Sequence, residues 1–233
     1  KIRKGGLQTW RLSAGLHILY VLSTCLLEKP FASFMSGLLS LRSSHTALVD
    51  SLREERASAL MQAMGVVGFA LLTALAAKMQ FRVYLWEVPI TLQTAAVYAS
   101  GLYLGWRNGL LAQALYLALG LVAPVFAGDG YGATYLFGVA SAGYLLSYPA
   151  AAAVIGALSK RWKAFSGSTL ASLGGAALIF ACGVVWLHYA AGHATWMESI
   201  DKGFLRFIAI DLLKVLGVGL LYSGTRSLTQ SDA

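Results

Sequence analysis

Asp211 and Lys214 stand three residues apart in Phe207-Ile208-Ala209-Ile210-Asp211-Leu212-Leu213-Lys214, an acid and a base inside an otherwise apolar stretch. Residues three apart on a helix share a face, so the two charges point the same way. The surrounding run, from about Phe204 to Tyr222, is long enough at ~1.5 Å per residue to cross most of a ~30 Å hydrocarbon core. An ionisable residue at the centre of such a span costs ~2.5–3.5 kcal/mol even on the milder insertion scales, which makes it a functional-site hypothesis. The competing reading is a self-neutralising pair that steadies helix packing. Counted from Phe204, the pair is expected roughly 10–15 Å along the helix from its outer end.

Other residues could join that pair. Pro89 fixes its own backbone and restricts Val88 to an extended form, so a helix is predicted to begin nearby and to carry Gln93 into the apolar region early. The Gln93 amide offers donors and an acceptor to something buried. Its alternative use is an interhelical hydrogen bond, worth about 0.6 kcal/mol on average in membrane proteins. Tyr116-Leu117-Ala118-Leu119-Gly120 leads to Pro124-Val125-Phe126-Ala127-Gly128-Asp129-Gly130, a helix that should end at the proline and pass into a glycine-rich joint. Such a joint permits close backbone approach, with Tyr116 and Phe126 supplying aromatic surface beside it. Tyr144 follows Ser141-Ala142-Gly143, whose small side chains leave room around the ring. Aromatic residues at membrane boundaries often serve only as interfacial anchors.

Enzyme signatures are missing from the sequence. It contains no Gly-x-x-x-x-Gly-Lys-Ser/Thr phosphate loop and no Gly-x-Ser-x-Gly nucleophile elbow. His188, His193 and Glu198 are spaced by five, which does not place them on one helical face, so neither a metal site nor a catalytic residue is expected. Cys25 and Cys182 lie in apolar stretches without metal or redox spacing and read as packing residues.

The elements that must position these side chains follow from composition. Hydrophobic residues make up 58% of the 233 and charged residues 12%, against about 25% charged in soluble domains. The chain therefore reads as an all-α integral membrane protein. A barrel would alternate apolar and polar residues over about ten positions, a pattern the long apolar runs lack. The formal charge of +8 does not indicate nucleic acid, because the basic residues sit in short stretches between apolar runs, where they act as topology signals.

Six spans are predicted, at about 59–77, 90–106, 109–126, 134–158, 168–190 and 204–222. Arg107-Asn108-Gly109 reads as a tight joint between the second and third. Lys160, Arg161 and Lys163 crowd the joint between the fourth and fifth. The opposite joints balance Lys78, Arg82, Lys202 and Arg206 with Glu87, Asp129, Glu198 and Asp201. This asymmetry places both ends of a multi-pass core, 53–233, in the cytoplasm. Residues 1–52 form a basic and apolar extension, in which Lys1 to Val49 hold six Lys or Arg against the single acid Glu28. A seventh span, a targeting remnant and a pair of interfacial helices all suit that composition, and the interfacial helices are the expectation.

Taken together, the motifs between Ala59 and Tyr222 resemble the BioY family, the biotin-binding S components of energy-coupling-factor transporters. The resemblance is carried by Val88-Pro89-Ile90-Thr91-Leu92-Gln93, by Gly101 to Gly109, by Tyr116 to Gly120 with Pro124 to Gly128, and by Phe207 to Lys214. The last looks like the family's Phe-Ile-Pro-Gly-Asp-Leu-Leu-Lys, with Ala209-Ile210 in place of Pro-Gly. Likewise Val139-Ala140-Ser141-Ala142-Gly143-Tyr144 stands where the family has Gly-Pro-Thr-x-Gly-Tyr.

The resemblance implies a six-helix S-component bundle in a bacterial-type cell membrane, with biotin as transported substrate rather than cofactor. Its vitamin pocket would lie near the outer face, covered by the joint between the first two helices. By the same resemblance Asp211, Lys214, Gln93 and Tyr144 would hold the ligand, with Tyr116, Phe126, Asp129 and Ser141 around them. Energy would come from partners, a membrane T component and two ATP-binding subunits. Ala59 and Ala63 would present a small-residue face to the T component. Two other readings remain open: an S component for a different vitamin or lipoyl-like acid, and a membrane enzyme using Asp211 as a proton acceptor.

Overall fold

The computed structural model describes residues 53, 57–81, 87–162 and 164–230. The expectations for residues 1–52, and those for Arg82, Trp86 and Lys163, lie outside these.

Helix α1, Ala59–Lys78, starts where the Ser58 hydroxyl accepts the Met61 N–H at 3.3 Å, a side-chain cap for a donor the helix leaves unpaired. It buries Ala70, Thr73, Ala74 and Ala77 and turns Leu60, Met64, Leu71 and Leu75 outward. Polar side chains point the other way. Thr73, Ser100, Gln113, Ser168 and Ser172 are buried in the bundle. Large apolar side chains outside and hydroxyls and amides inside suit a lipid surround, where the outer face seeks no water. Two helices, α1 and α5 (Phe165–Ala190), are long and apolar enough to span a membrane by length and composition alone.

After α1 the chain makes a two-residue antiparallel ladder, β1 Gln80–Phe81 against β2 Ile90–Thr91, in the register Gln80 to Thr91 and Phe81 to Ile90. Helix α2, Gln93–Val122, is broken at Gly105, whose φ of 79° and ψ of −175° leave the helical region. Its two arms, 93–104 and 106–122, fold back on each other. The Gln113 amide donates to Ser100 Oγ at 3.0 Å, and Gln93 bonds Tyr116, 23 positions on. A straight helix would hold those last two ~35 Å apart. The joint predicted at Arg107-Asn108-Gly109 therefore lies earlier, because a backbone with this φ needs glycine. Asn108 and Gly109 are buried within the second arm, where a Cβ on Gly109 would come 3.2 Å from Gly101 Cα. The second arm ends as expected before Pro124, with Ala123 extended.

The span predicted at 134–158 is two elements, the short α3 Ala133–Gly138 and α4 Ala142–Leu158, separated by an extended Val139. Helix α5 is followed by α6 Trp196–Ile200, a π-helical turn Asp201–Leu205 and α7 Ile208–Gln230. Ala209 and Ile210 are helical, as residues without the breaking tendency of Pro-Gly should be. The last helix thus begins later than Phe204, and Asp211 lies in its first turn. That is shallower than the 10–15 Å expected, and the helix N-terminus favours a negative charge there. Cys182 is exposed rather than packed, and Cys25 lies outside the described residues.

Helix α2 packs chiefly on α4 and on α1, and α4 in turn packs on α5. The buried rings of Tyr98, Tyr116, Tyr148 and Tyr222 run through this core. At the end away from Gln93, the Arg53 guanidinium donates to Leu102 O, to Tyr222 OH at 2.7 Å and to Ser159 Oγ at 3.1 Å, joining α2, the C-terminal cap of α4 and α7. Because Arg53 reaches all three, the bundle is tied at this end by charge-assisted bonds.

Candidate functional site

A cavity of about 270 Å³ opens at the other end, between the N-terminal portions of α2, α4 and α7 and the segment 87–91. Asp211 and Lys214 form one side. The Asp211 carboxylate accepts from Thr94 Oγ1 at 2.9 Å and from Tyr98 OH at 2.6 Å, and lies 3.5 Å from Lys214 Nζ. Lys214 also donates to Thr94 Oγ1 at 3.0 Å, so the threonine hydroxyl relays between the two charges. Only 4% of Asp211 is exposed. A carboxylate so buried is tolerable because both oxygens and the charge have partners.

Gln93 enters from the start of α2. Thr91 Oγ1 donates to its Oε1 at 3.0 Å, and its amide nitrogen donates to Tyr116 OH. The two cavity-facing carriers of donors and acceptors, Gln93 and Asp211, are thus each braced from behind by a tyrosine.

Aromatic rings close the remaining walls. Phe126 meets Tyr116 edge-on at 5.6 Å and stacks on Tyr135 at 5.9 Å. It occupies the space that a side chain at Gly120 would need, since a Cβ there would lie 1.9 Å from the ring. Tyr144 rests against Gly183 in the same manner, at 2.1 Å from a would-be Cβ, and donates to Gly203 O at 2.7 Å. Its ring meets Phe180 edge-on at 6.1 Å. Tyr148 and Phe207 also line the cavity.

Of the residues singled out from sequence, Asp211, Lys214, Gln93, Tyr144, Phe126 and Ser141 line this one cavity. Tyr116 does not. It is buried behind the wall and orients Gln93. Asp129 is exposed in the loop after α2 and is not part of the lining. Ala59 and Ala63 are exposed on α1, away from the cavity. Sequence reasoning missed Thr94, Tyr98 and Tyr148. Tyr148 is four after Tyr144, so helical spacing would have found it, whereas Thr94 and Tyr98, one and five positions after Gln93, are revealed only by their bonds to Asp211.

At the mouth, Glu87 meets Lys202 Nζ and His193 Nε2, each at 2.9 Å. Burial pushes the Glu87 carboxyl up, but hydrogen bonds and charges from Lys202 and His193 outweigh it and hold it below the usual carboxylate range. Its charge therefore survives to lower pH than that of an isolated glutamate. His188 and His193, five apart in sequence, converge on Ser199 Oγ at 2.9 and 3.0 Å. No cluster of three or more metal-ligating side chains occurs among the described residues.

Chemically, the cavity offers aromatic walls, a carboxylate with an ammonium, and an amide. This set suits a small, partly apolar molecule with hydrogen-bonding groups and an anionic end. The model of the BioY family matches residues 46–231. The biotin transporter BioY of Thermotoga maritima is 35% identical over 135 residues, covering 58% of this chain and 78% of that protein. The probable biotin transporter BioY of Lysinibacillus sphaericus is 34% identical over 161 residues, covering 66% and 80%. The crystal structure of the S-component for biotin from an ECF-type ABC transporter shares the fold, with a TM-score of 0.66 at 22% identity, over 72% of this chain and 92% of the other.

Proposed function

This chain belongs to the BioY family, and from that membership we propose that it binds biotin for uptake, as the membrane-embedded S component of an energy-coupling-factor transporter. The observation that carries the reading to this chain is the cavity that joins Asp211, Lys214 and Gln93 beneath aromatic walls. Biotin needs such a mixture: donors and acceptors for its ureido ring, apolar or aromatic surface for its thiophane ring and a cation for its carboxylate. The relatives are named as transporters, and the reading requires no reaction of the ligand.

In this reading α1, the two arms of α2, α4, α5 and α7 supply six membrane-spanning legs, with the cavity toward the outer face. The end carrying Arg107, Lys160 and Arg161 faces the cytoplasm, in keeping with the inside preference of basic joints. Isothermal titration of the purified chain with biotin, and competition by a panel of other vitamins, tests the substrate. Saturable binding displaced by unlabelled biotin alone supports the reading, and absent heat in well-folded protein overturns it.

Transport would draw energy from a T component and two ATP-binding subunits. Ala59 and Ala63 lie exposed on α1, and a Cβ at Gly68 on the same helix would meet nothing within 4 Å. Small side chains let another helix come close. Ala63→Trp is expected to reduce recovery of the T component with the tagged chain several-fold, while biotin titration of the isolated chain is unaltered. Undiminished recovery would remove α1 from the partner surface.

A further inference from the structure

Glu87 reaches across the cavity mouth to residues 106 and 115 positions later, His193 and Lys202. The segment 87–91 borders the cavity on one side through Glu87, Val88, Pro89 and Thr91. Facing it is the connection between α5 and α7, whose Gly203 carbonyl accepts the Tyr144 hydroxyl from the cavity wall.

The two cationic or potentially cationic groups on that connection are braced. Glu198 Oε1 holds Lys202 Nζ at 2.8 Å, and Ser199 Oγ lies 3.0 Å from His193 Nδ1. His188 contacts the same serine and stacks on Trp196, with ring centroids 3.9 Å apart. Glu87 is the charge that the 87–91 segment contributes to this network. With Glu87 and Lys202 about 30% and 27% exposed, the contact sits at the boundary between cavity and solvent.

We propose that Glu87, Lys202 and His193 form an electrostatic latch, which holds the 87–91 segment over the cavity and sets how readily a ligand enters and leaves. The latch consists of positioning residues that need not touch the ligand. It deepens the reading of the cavity as a ligand site and does not depend on which ligand is bound. Removing the Glu87 charge weakens two contacts at once, one with the partly exposed Lys202 and one with the buried side chain of His193, so the expected change in opening is about three- to tenfold.

The test uses the full chain with Cys25 and Cys182 replaced by serine and Ala140→Cys placed in the cavity wall, without ligand. A membrane-impermeant maleimide is expected to label the introduced thiol about three- to tenfold faster in E87Q than in the parent, and about two- to threefold faster in K202M, which keeps the contact with His193. Exchanging the charges, E87K with K202E, together with E198Q to remove the carboxylate 2.8 Å from position 202, is expected to restore slow labelling, because the attraction is re-formed in reverse. Purely structural contacts would lower thermal stability in each variant without the charge-exchanged pair recovering slow labelling. Labelling at the parent rate in both single variants overturns the latch. Dissociation of radiolabelled biotin, chased with excess unlabelled biotin, should accelerate by a similar factor. Accelerated labelling in a protein that binds no biotin would overturn the substrate reading while supporting the latch. Should E87Q fail to fold, K202M carries the same comparison, since it leaves Glu87 with His193.

Discussion

Asp211→Asn is expected to weaken biotin binding by about thirtyfold or more. The substitution keeps the size of the side chain and removes its charge. Thr94 and Tyr98 now donate to two carboxylate oxygens, at 2.9 and 2.6 Å, while Lys214 lies 3.5 Å away. With asparagine one oxygen becomes an NH₂, so Thr94 or Tyr98 must turn its hydroxyl to accept instead of donate. Lys214, whose side chain is 11% exposed, is left without its counter-charge. Truncating one partner of a buried, hydrogen-bonded ion pair typically costs about 2–5 kcal/mol, and every 1.4 kcal/mol is tenfold in affinity. Lys214→Ala is expected to act in the same direction.

The measurement is biotin titration on variants that elute as monodisperse protein with unchanged helical content. It separates the two roles the sequence left open. A pair that only steadied packing would lower the unfolding temperature and leave the affinity of the folded fraction intact. Wild-type affinity in both variants would remove the pair from the binding site.

Gly105→Ala is expected to destabilise the fold. The backbone there, at φ 79° and ψ −175°, lies in a region that essentially only glycine occupies, at a cost of ~1–3 kcal/mol for other residues. A Cβ would also meet the Arg53 carbonyl oxygen at 2.9 Å. Because the reversal at Gly105 folds α2 back on itself, its loss would separate Gln93 from Tyr116 and Ser100 from Gln113. A fall in unfolding temperature on the order of 5–10 °C is expected from strain of that size. Gly68→Ala is the matching control, since its Cβ would meet nothing within 4 Å. Equal unfolding temperatures for the two variants would show that the reversal does not need glycine.

The apolar segments were legible because lipid imposes a minimum run length and forces the backbone to pair within itself. The positions of α1 and α5 followed from that alone. Pro124 marked the end of α2 because proline dictates the conformation of the residue before it. Gly105 was harder to read. It is one of several glycines in Gly101 to Gly109, and which of them carries a positive φ depends on how closely the two arms meet. The start of α7 was misplaced for a similar reason. Phe204 continues the apolar run, but it belongs to a π-helical turn that the Asp201–Arg206 ion pair and the Tyr144 bond to Gly203 hold in place.

For the site, the sequence by itself identified side chains whose burial demands an explanation. Asp211, Lys214 and Gln93 stood out because charge and amide groups are costly in an apolar run, and Tyr144 because small neighbours leave its ring room. Tertiary structure alone decided their company. Tyr98 bonds Asp211 across 113 positions, Gln93 bonds Tyr116 around a helical reversal, and Asp129 falls outside the cavity that its neighbour Phe126 lines. The physical reason is that the cost of burying a polar group is local and can be read residue by residue. Its compensation comes from whichever chain segment packing brings within hydrogen-bonding distance.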